Sequence, residues 1–181
     1  MGGYPALPGG MMASLLNKPL IIHEQNSLPG LTNRILAKLA DKIMLGFPNA
    51  IHADPAKTIF SGNPVRSEIA QIDLPQQRFY GREGRLNILV IGGSLGAQVL
   101  NTVVPEALKS MAEQHRPFIV HQVGDRHLDT ARQRYADLQV RGEVLAFIEN
   151  MAERYAACDL VLCRAGALTI AELSAAGVAS I

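Results

Sequence analysis

The sequence predicts an α/β protein built on open parallel sheets, and three observations predict it. Short aliphatic or β-branched runs recur along the chain, and between most of them lie stretches with helical period. Glycine-containing turns follow several of the runs directly, as at the carboxyl ends of parallel strands. A polar break at residues 71–85, QIDLPQQRFYGREGR, separates a shorter front part from a longer back part.

In chain order, residues 10–16 read as a helix. The strand candidates are Leu20–Ile22, Ile43–Leu45, Thr58–Phe60, Ile88–Ile91, Phe118–His121, Glu143–Phe147 and Leu160–Cys163. Their apolar character is close to continuous, as expected of strands buried on both faces. Helical spacing appears in Leu31, Ile35 and Leu39, with Leu36, Ala40 and Ile43 beside them, over residues 31–43. It recurs in Val99, Val103, Ala107 and Met111, and again in Ala131, Tyr135 and Leu138. Ala179-Ser180-Ile181 reads as a further strand beginning. The boundary is expected after Arg66, giving units 1–66 and 67–181. Neither end offers a finished sheet edge, so the chain is expected to be the middle of a longer protein.

Composition narrows the class. The chain has 181 residues, 48% of them hydrophobic, enough for a packed core. Its 17 basic and 16 acidic residues nearly cancel, which argues against a nucleic-acid partner. Residues 1–66 carry six basic and three acidic residues, and residues 67–181 carry eleven and thirteen. Cys158 and Cys163 have no nearby histidine and read as core residues in a reducing compartment. The charge-free stretch Met1–Asn17 is rich in Gly and Pro and reads as neither a membrane span nor a signal peptide.

Four segments could carry chemistry. The first is Ile88-Leu89-Val90-Ile91-Gly92-Gly93-Ser94-Leu95-Gly96-Ala97: a buried strand, a glycine turn and a helix start. Such a turn lets backbone approach an anion, and the helix dipole adds roughly 0.3–2 kcal/mol for a phosphate. A ligand-free βα turn is the alternative. A dinucleotide fingerprint fits poorly, because Ser94 stands where the second glycine belongs. The second segment, Cys163 to Leu173, repeats the plan, with Glu172 inside the helix. A carboxylate there suits a ribose diol, each charge-assisted bond contributing about 1.5–3 kcal/mol, or it simply complements the helix dipole. The third is His23-Glu24-Gln25-Asn26, placed directly after a strand, where His23 is a base or only a donor, and the alternative is a polar turn capping the next helix. The fourth is Gly62-Asn63-Pro64-Val65-Arg66, whose guanidinium suits phosphate, or which is a hinge with a surface arginine.

The chain has no Asp-x-Asp pair and no His/Cys/Glu set at metal-ligand spacing. A bound diphosphate is therefore expected to be held by helix ends, hydroxyls and arginine, with no metal and no cofactor, and turnover is expected to survive a chelator. Arg34, Lys38 and Lys42 are spaced as one stripe of a helix over 31–43, which suits an anionic lipid surface or is a solvated face.

Gly2-Gly3-Tyr4, His23-Glu24-Gln25-Asn26 with Gly30-Leu31-Thr32-Asn33, Gly62-Asn63-Pro64-Val65-Arg66, Gly92-Gly93-Ser94-x-Gly96-Ala97, Phe147-Ile148 and Cys163-Arg164-x-Gly166-Ala167-Leu168-Thr169 occur in order. Together they resemble the MurG family of bacterial UDP-N-acetylglucosamine transferases, in glycosyltransferase family 28, over the whole chain. The resemblance implies two Rossmann-like domains facing a cleft (the GT-B arrangement), both incomplete here. Residues 1–66 would then end the acceptor-side domain, and residues 67–181 would begin the UDP-GlcNAc domain. It implies an inverting transfer of GlcNAc from UDP-GlcNAc to lipid I, undecaprenyl-diphospho-MurNAc-pentapeptide, giving lipid II for peptidoglycan. The enzyme would be peripheral on the cytoplasmic face of the plasma membrane. Position by position it implies donor contacts at Asn26, Arg66, Ser94, Ile148, Ala167, Leu168, Thr169, Ile170, Ala171 and Glu172. Ile148 would meet the uracil through backbone and apolar contacts, and Glu172 the ribose. The catalytic base is unassigned, with His23 and Glu24 as candidates. The family's glycine-rich front loop, the segment following residue 181 and most of a basic–apolar membrane patch have no counterpart here, so the isolated fragment is expected to be inactive. Rival readings are a UDP-sugar epimerase, an NAD-dependent dehydrogenase and a non-catalytic nucleotide-binding remnant.

Overall fold

The computed structural model describes residues 3–93 and 96–181. The chain divides into two units, Met1–Pro64 and Val65–Ile181, so Arg66 belongs to the second.

In the first unit, α1 (Ala6–Leu15) leads into β1 (Ile21–Glu24), α2 (Leu31–Leu36), β2 (Lys42–Leu45) and β3 (Thr58–Phe60). The strands form a parallel sheet in the order β1-β2-β3, with Ile22 opposite Ile43 and Ile43 opposite Thr58. Ile22, Leu36, Ala40, Ile43, Leu45, Ala50 and Ile51 make its core. Gly10 of α1 lies so close to Leu36 that a Cβ would sit 2.7 Å from that side chain.

Two expectations fail in this unit. The helix read over 31–43 stops at Leu36, because the chain turns so that Asp41 accepts the Leu20 N–H at 2.7 Å and Lys42 enters β2. Arg34, Lys38 and Lys42 therefore do not share a helical stripe; Lys42 donates to the Ala56 carbonyl from a strand. Leu31, Ile35 and Leu39 are exposed, while Leu36, Ala40 and Ile43 carry the core. β1 also runs through Glu24, so His23 and Glu24 are strand residues on opposite faces, not loop residues.

The second unit opens with two short helices, α3 (Ser67–Ala70) and α4 (Pro75–Arg78), the second of them inside the 71–85 segment expected to be a polar break. Then follow β4 (Asn87–Ile91), α5 (Gln98–Ser110), β5 (Phe118–Gln122), α6 (Leu128–Asp137), β6 (Glu143–Leu145), α7 (Met151–Ala157), β7 (Leu160–Cys163), α8 (Ala167–Ala176) and β8 (Ala179–Ser180). All five strands are parallel, in the order β6-β5-β4-β7-β8. This is a doubly wound sheet whose order reverses between β4 and β7.

Strand alternation divides the core between the two faces. Leu89 and Ile91 pack with Ile148, Tyr155, Val161 and Leu173 on one side. Val90 packs with Val104, Leu108, Ile119 and Tyr135 on the other. β6 ends at Leu145, two residues short of the expected Phe147. Helix α5 is rotated relative to its apolar stripe: Val99, at 72% exposure, Val103 and Met111 face outward, and Asn101, Val104, Pro105 and Leu108 are buried. The buried Asn101 donates to the Val123 carbonyl at 3.0 Å, a bond that fixes the inward face.

The short front helices strap α7 and α8 together. Arg78 donates to the carbonyls of Asp73, Tyr155 and Ala176, and Arg82 pairs with Asp159. Cys158 is buried, and desolvation pushes its thiol up to about 11. Cys163 is half-buried beside the same core, with its thiol also pushed up by desolvation. No helix among the described residues is long and apolar enough to cross a membrane.

Candidate functional site

In the second unit, the reversal of strand order sets the carboxyl ends of β4 and β7 side by side, with Ile91 opposite Cys163. Open α/β sheets bind ligands at such switch points, because adjacent connections leave towards opposite faces and open a crevice.

The β4 exit is braced on all sides. Gly96 has φ +75°, and a Cβ on it would lie 2.0 Å from the Val123 carbonyl oxygen, so only glycine fits there. Gln122, at the end of β5, donates to the Gly93 carbonyl at 3.1 Å. Asn101 holds the Val123 carbonyl that meets Gly96. Helix α5 then begins after Ala97 with no side-chain cap, leaving its first amides to the loop side. Ser94, expected on this loop, lies outside the described residues.

The β7 exit repeats the plan. Helix α8 starts after Gly166, again without a side-chain cap. Ala167, Thr169 and Ala171 are half-buried, and Leu168 and Ile170 are exposed. Glu172 sits on the same helix with every oxygen engaged. Its Oε1 accepts from Arg66 Nε at 3.2 Å and Nη2 at 3.1 Å, and its Oε2 accepts from the Tyr155 hydroxyl at 3.2 Å. Glu172 and Arg66, two residues quoted from distant motifs, thus meet in one ion pair.

Tyr155 was not singled out by sequence reasoning. It is fully buried, so its hydroxyl has to find a partner inside the fold, and Glu172 is that partner. Burial raises its phenol well above the ordinary range, and the Glu172 charge adds to the effect. The phenol is therefore a fixed proton donor to the carboxylate. A tyrosine inside the otherwise apolar and charged run of α7 was the only signal for it.

Ile148 is placed differently from expectation. Its side chain belongs to the core beside Leu89 and Tyr155, which leaves only its backbone to meet a ligand. The neighbouring Phe147 is exposed. A cavity of about 320 Å³ opens beside this segment, lined by Arg66, Glu68, Ile69, Asn150 and Met151.

In the first unit, His23, Glu24 and Asn26 form a separate cluster. His23 Nε2 lies 3.1 Å from the Gly62 carbonyl. A carbonyl only accepts, so Nε2 carries the proton and Nδ1 is the basic nitrogen of the uncharged ring. Glu24 is only 2% exposed. Its Oε1 accepts the backbone N–H of Asn26 at 3.0 Å and the Asn26 side-chain amide at 3.1 Å. Its Oε2 accepts the Gly30 N–H at 3.2 Å and Asn33 Nδ2 at 2.9 Å. Desolvation alone raises the pKa of this carboxyl, but the hydrogen bonds from Asn26, Asn33 and Gly30 outweigh it and hold the group below the usual carboxylate range. Glu24, expected as a possible base, is thus an ionised, enclosed brace for its loop.

Residues 87–181 match the glycosyltransferase family 28 C-terminal domain, and residues 1–45 match the family 28 N-terminal domain. The chain belongs to glycosyltransferase family 28. A relative from Nitrosospira multiformis is 61% identical over 181 residues, covering 100% of this chain and 50% of that protein. One from Nitrosomonas europaea is 63% identical, covering 100% and 51%. Both are named UDP-N-acetylglucosamine--N-acetylmuramyl-(pentapeptide) pyrophosphoryl-undecaprenol N-acetylglucosamine transferase. The chain spans about half the length of the curated relatives it matches.

Among solved structures, Acinetobacter baumannii MurG aligns with a TM-score of 0.79 and 40% identity, covering 99% of this chain and 50% of that one. A UDP-GlcNAc 2-epimerase from Neisseria meningitidis aligns with a TM-score of 0.63 at 14% identity, covering 96% and 54%. That second likeness is one of fold alone. In sequence the chain is similar to the two proteins named as transferases, and with the epimerase it shares architecture alone.

Proposed function

We propose that this chain is the central part of an inverting N-acetylglucosaminyltransferase. It uses UDP-GlcNAc as donor and lipid I as acceptor, and forms lipid II on the cytoplasmic face of the plasma membrane. The observation that carries the reading is the Arg66–Glu172–Tyr155 group at the switch point of the second sheet. It joins a carboxylate suited to a diol with a guanidinium suited to a diphosphate, the carboxylate lying on the helix that starts uncapped after β7.

The chemistry follows from that placement. Glu172, held by Tyr155, accepts hydrogen bonds from the two ribose hydroxyls. The backbone of Ile148 meets the uracil edge. Arg66 gives up Oε1 of Glu172 when the nucleotide arrives and turns its guanidinium to the diphosphate. Arg66, Ser94 and the starts of α5 and α8, with Ala167 to Ala171 along the second, then oppose the charge that grows on the departing UDP. Asn26 contributes a polar contact to the sugar or acceptor. Attack by the acceptor hydroxyl on the face opposite UDP inverts the anomeric carbon.

Membrane association is supported by Arg34 and Lys38 near exposed Leu28, Leu31 and Leu39. Each basic residue adds about 1 kcal/mol near an anionic surface. Lys38→Glu should weaken sedimentation with phosphatidylglycerol vesicles and leave binding to neutral vesicles unchanged.

The test of the reaction is UDP release by the full-length protein that carries this segment, with and without a lipid I analogue. Release that depends on the analogue is expected. A new UDP-sugar formed from UDP-GlcNAc alone would overturn the transferase in favour of an epimerase.

A further inference from the structure

The Glu24 cluster also fixes what kind of group Asn26 can bind. Glu24 is ionised and enclosed, and an ionised carboxylate only accepts hydrogen bonds. Its four partners are neutral N–H groups: two from Asn26, one from Gly30 and one from Asn33. Among the described residues no cation pairs with it. The neighbouring titratable side chain, His23, lies on the opposite face of β1 with its Nε2 turned to Gly62.

This arrangement decides the orientation of the Asn26 amide. A terminal amide has one accepting oxygen and one donating nitrogen, and either end can face a ligand when nothing holds it. Here the nitrogen is committed to Glu24 Oε1 at 3.1 Å, since turning the amide over would set two oxygens against each other. The backbone N–H of the same residue binds the same oxygen and prevents the loop from swinging away. Asn33 anchors the other carboxylate oxygen and also donates to the His23 carbonyl at 3.2 Å. Asn26 itself is exposed, so the outward atom is Oδ1.

We infer that Glu24 is a positioning residue which locks Asn26 with its carbonyl oxygen outward, so that Asn26 accepts a hydrogen bond from a hydroxyl or amide N–H of the sugar substrate. Phosphate and carbonyl oxygens, which only accept, cannot pair with that outward oxygen. The inference rests on the proposed transferase reading for the identity of the sugar, but the orientation itself does not.

Asn26→Asp separates the possibilities. It keeps an outward oxygen and replaces the donating nitrogen with a second carboxylate oxygen against Glu24. The two carboxylates can coexist only by sharing a proton, which raises one pKa. In the full-length protein, kcat/KM for UDP-GlcNAc is measured for wild type, Asn26→Asp and Asn26→Ala. The Asn26→Asp to wild-type ratio should rise at least roughly fivefold from about pH 8 to about pH 5.5, as the shared proton restores the native pattern. The Asn26→Ala ratio should stay flat. The melting temperature of Asn26→Asp should rise relative to wild type over the same range, because the folded state binds the proton more tightly than the unfolded chain.

A flat or falling Asn26→Asp ratio, or a variant unfolded at both ends of the range, overturns the inference. If wild type itself fails to use UDP-GlcNAc, the transferase reading has failed instead, and the melting comparison still decides the orientation of the amide.

Discussion

Replacing Glu172 by alanine has two consequences that can be measured apart. The first concerns stability. Arg66 keeps 52% of its side chain exposed, so losing its ion pair costs less than about 1 kcal/mol. Tyr155 is fully buried, and its hydroxyl is left without a partner, which costs about 1–3 kcal/mol. For a chain of this size each kcal/mol lowers the melting temperature by roughly 2–4 °C. Glu172→Ala should therefore melt several degrees below wild type. Adding Tyr155→Phe removes the stranded hydroxyl, so the double variant should melt above Glu172→Ala alone.

The second consequence concerns the donor. Loss of a charge-assisted diol contact of about 1.5–3 kcal/mol predicts a 10–150-fold fall in kcat/KM for UDP-GlcNAc in the full-length protein. Tyr155→Phe alone keeps the carboxylate and loses only its orientation, about 0.5–1.5 kcal/mol, or up to roughly tenfold in the same quantity. A double variant that melts no higher than Glu172→Ala would refute the stranded-phenol argument. An unchanged kcat/KM in Glu172→Ala would remove Glu172 from the nucleotide site.

His121 is fully buried with its Nε2 unpartnered among the described residues, and desolvation lowers its pKa from 6.5 to about 4. It folds uncharged, so its contribution is complete above the unfolded value and is lost as pH falls towards 4, about 3 kcal/mol in all. Urea unfolding at a series of pH values should show this slope, and His121→Leu should flatten it. Gly96→Ala forces a Cβ against the Val123 carbonyl at positive φ, and should cost about 1–3 kcal/mol or more in denaturant unfolding together with weaker donor use. Arg78→Lys cannot reach the Asp73, Tyr155 and Ala176 carbonyls at once, and should lower stability by about 1–3 kcal/mol; a melting curve identical to wild type would deny the strap its role.

Much was legible before any coordinates. All seven strand candidates exist, because apolar runs of three to five residues between turn signals have few other outcomes. The helix following each glycine turn of the second unit was legible too, as was the core placement of Cys158. The face that a helix buries was not. In α5 the apolar stripe Val99, Val103 and Met111 is outward, since a single buried amide, Asn101, is tied to Val123. In the 31–43 stretch, periodicity ran on through Lys42 although the chain had already entered β2, because a strand edge and a helix face both accept that spacing.

The sequence by itself determined the alternation of strands and helices, the glycine turns, the residues that match family 28 and the near-neutral charge. These depend on local backbone preference and on residue identity, which any short window displays. Only the tertiary structure decided that Arg66 meets Glu172 across more than a hundred residues, that Tyr155 holds that carboxylate, and that Glu24 is an enclosed brace instead of an open base. Those facts depend on which strands become neighbours, and sheet order is a long-range property that no window of sequence contains.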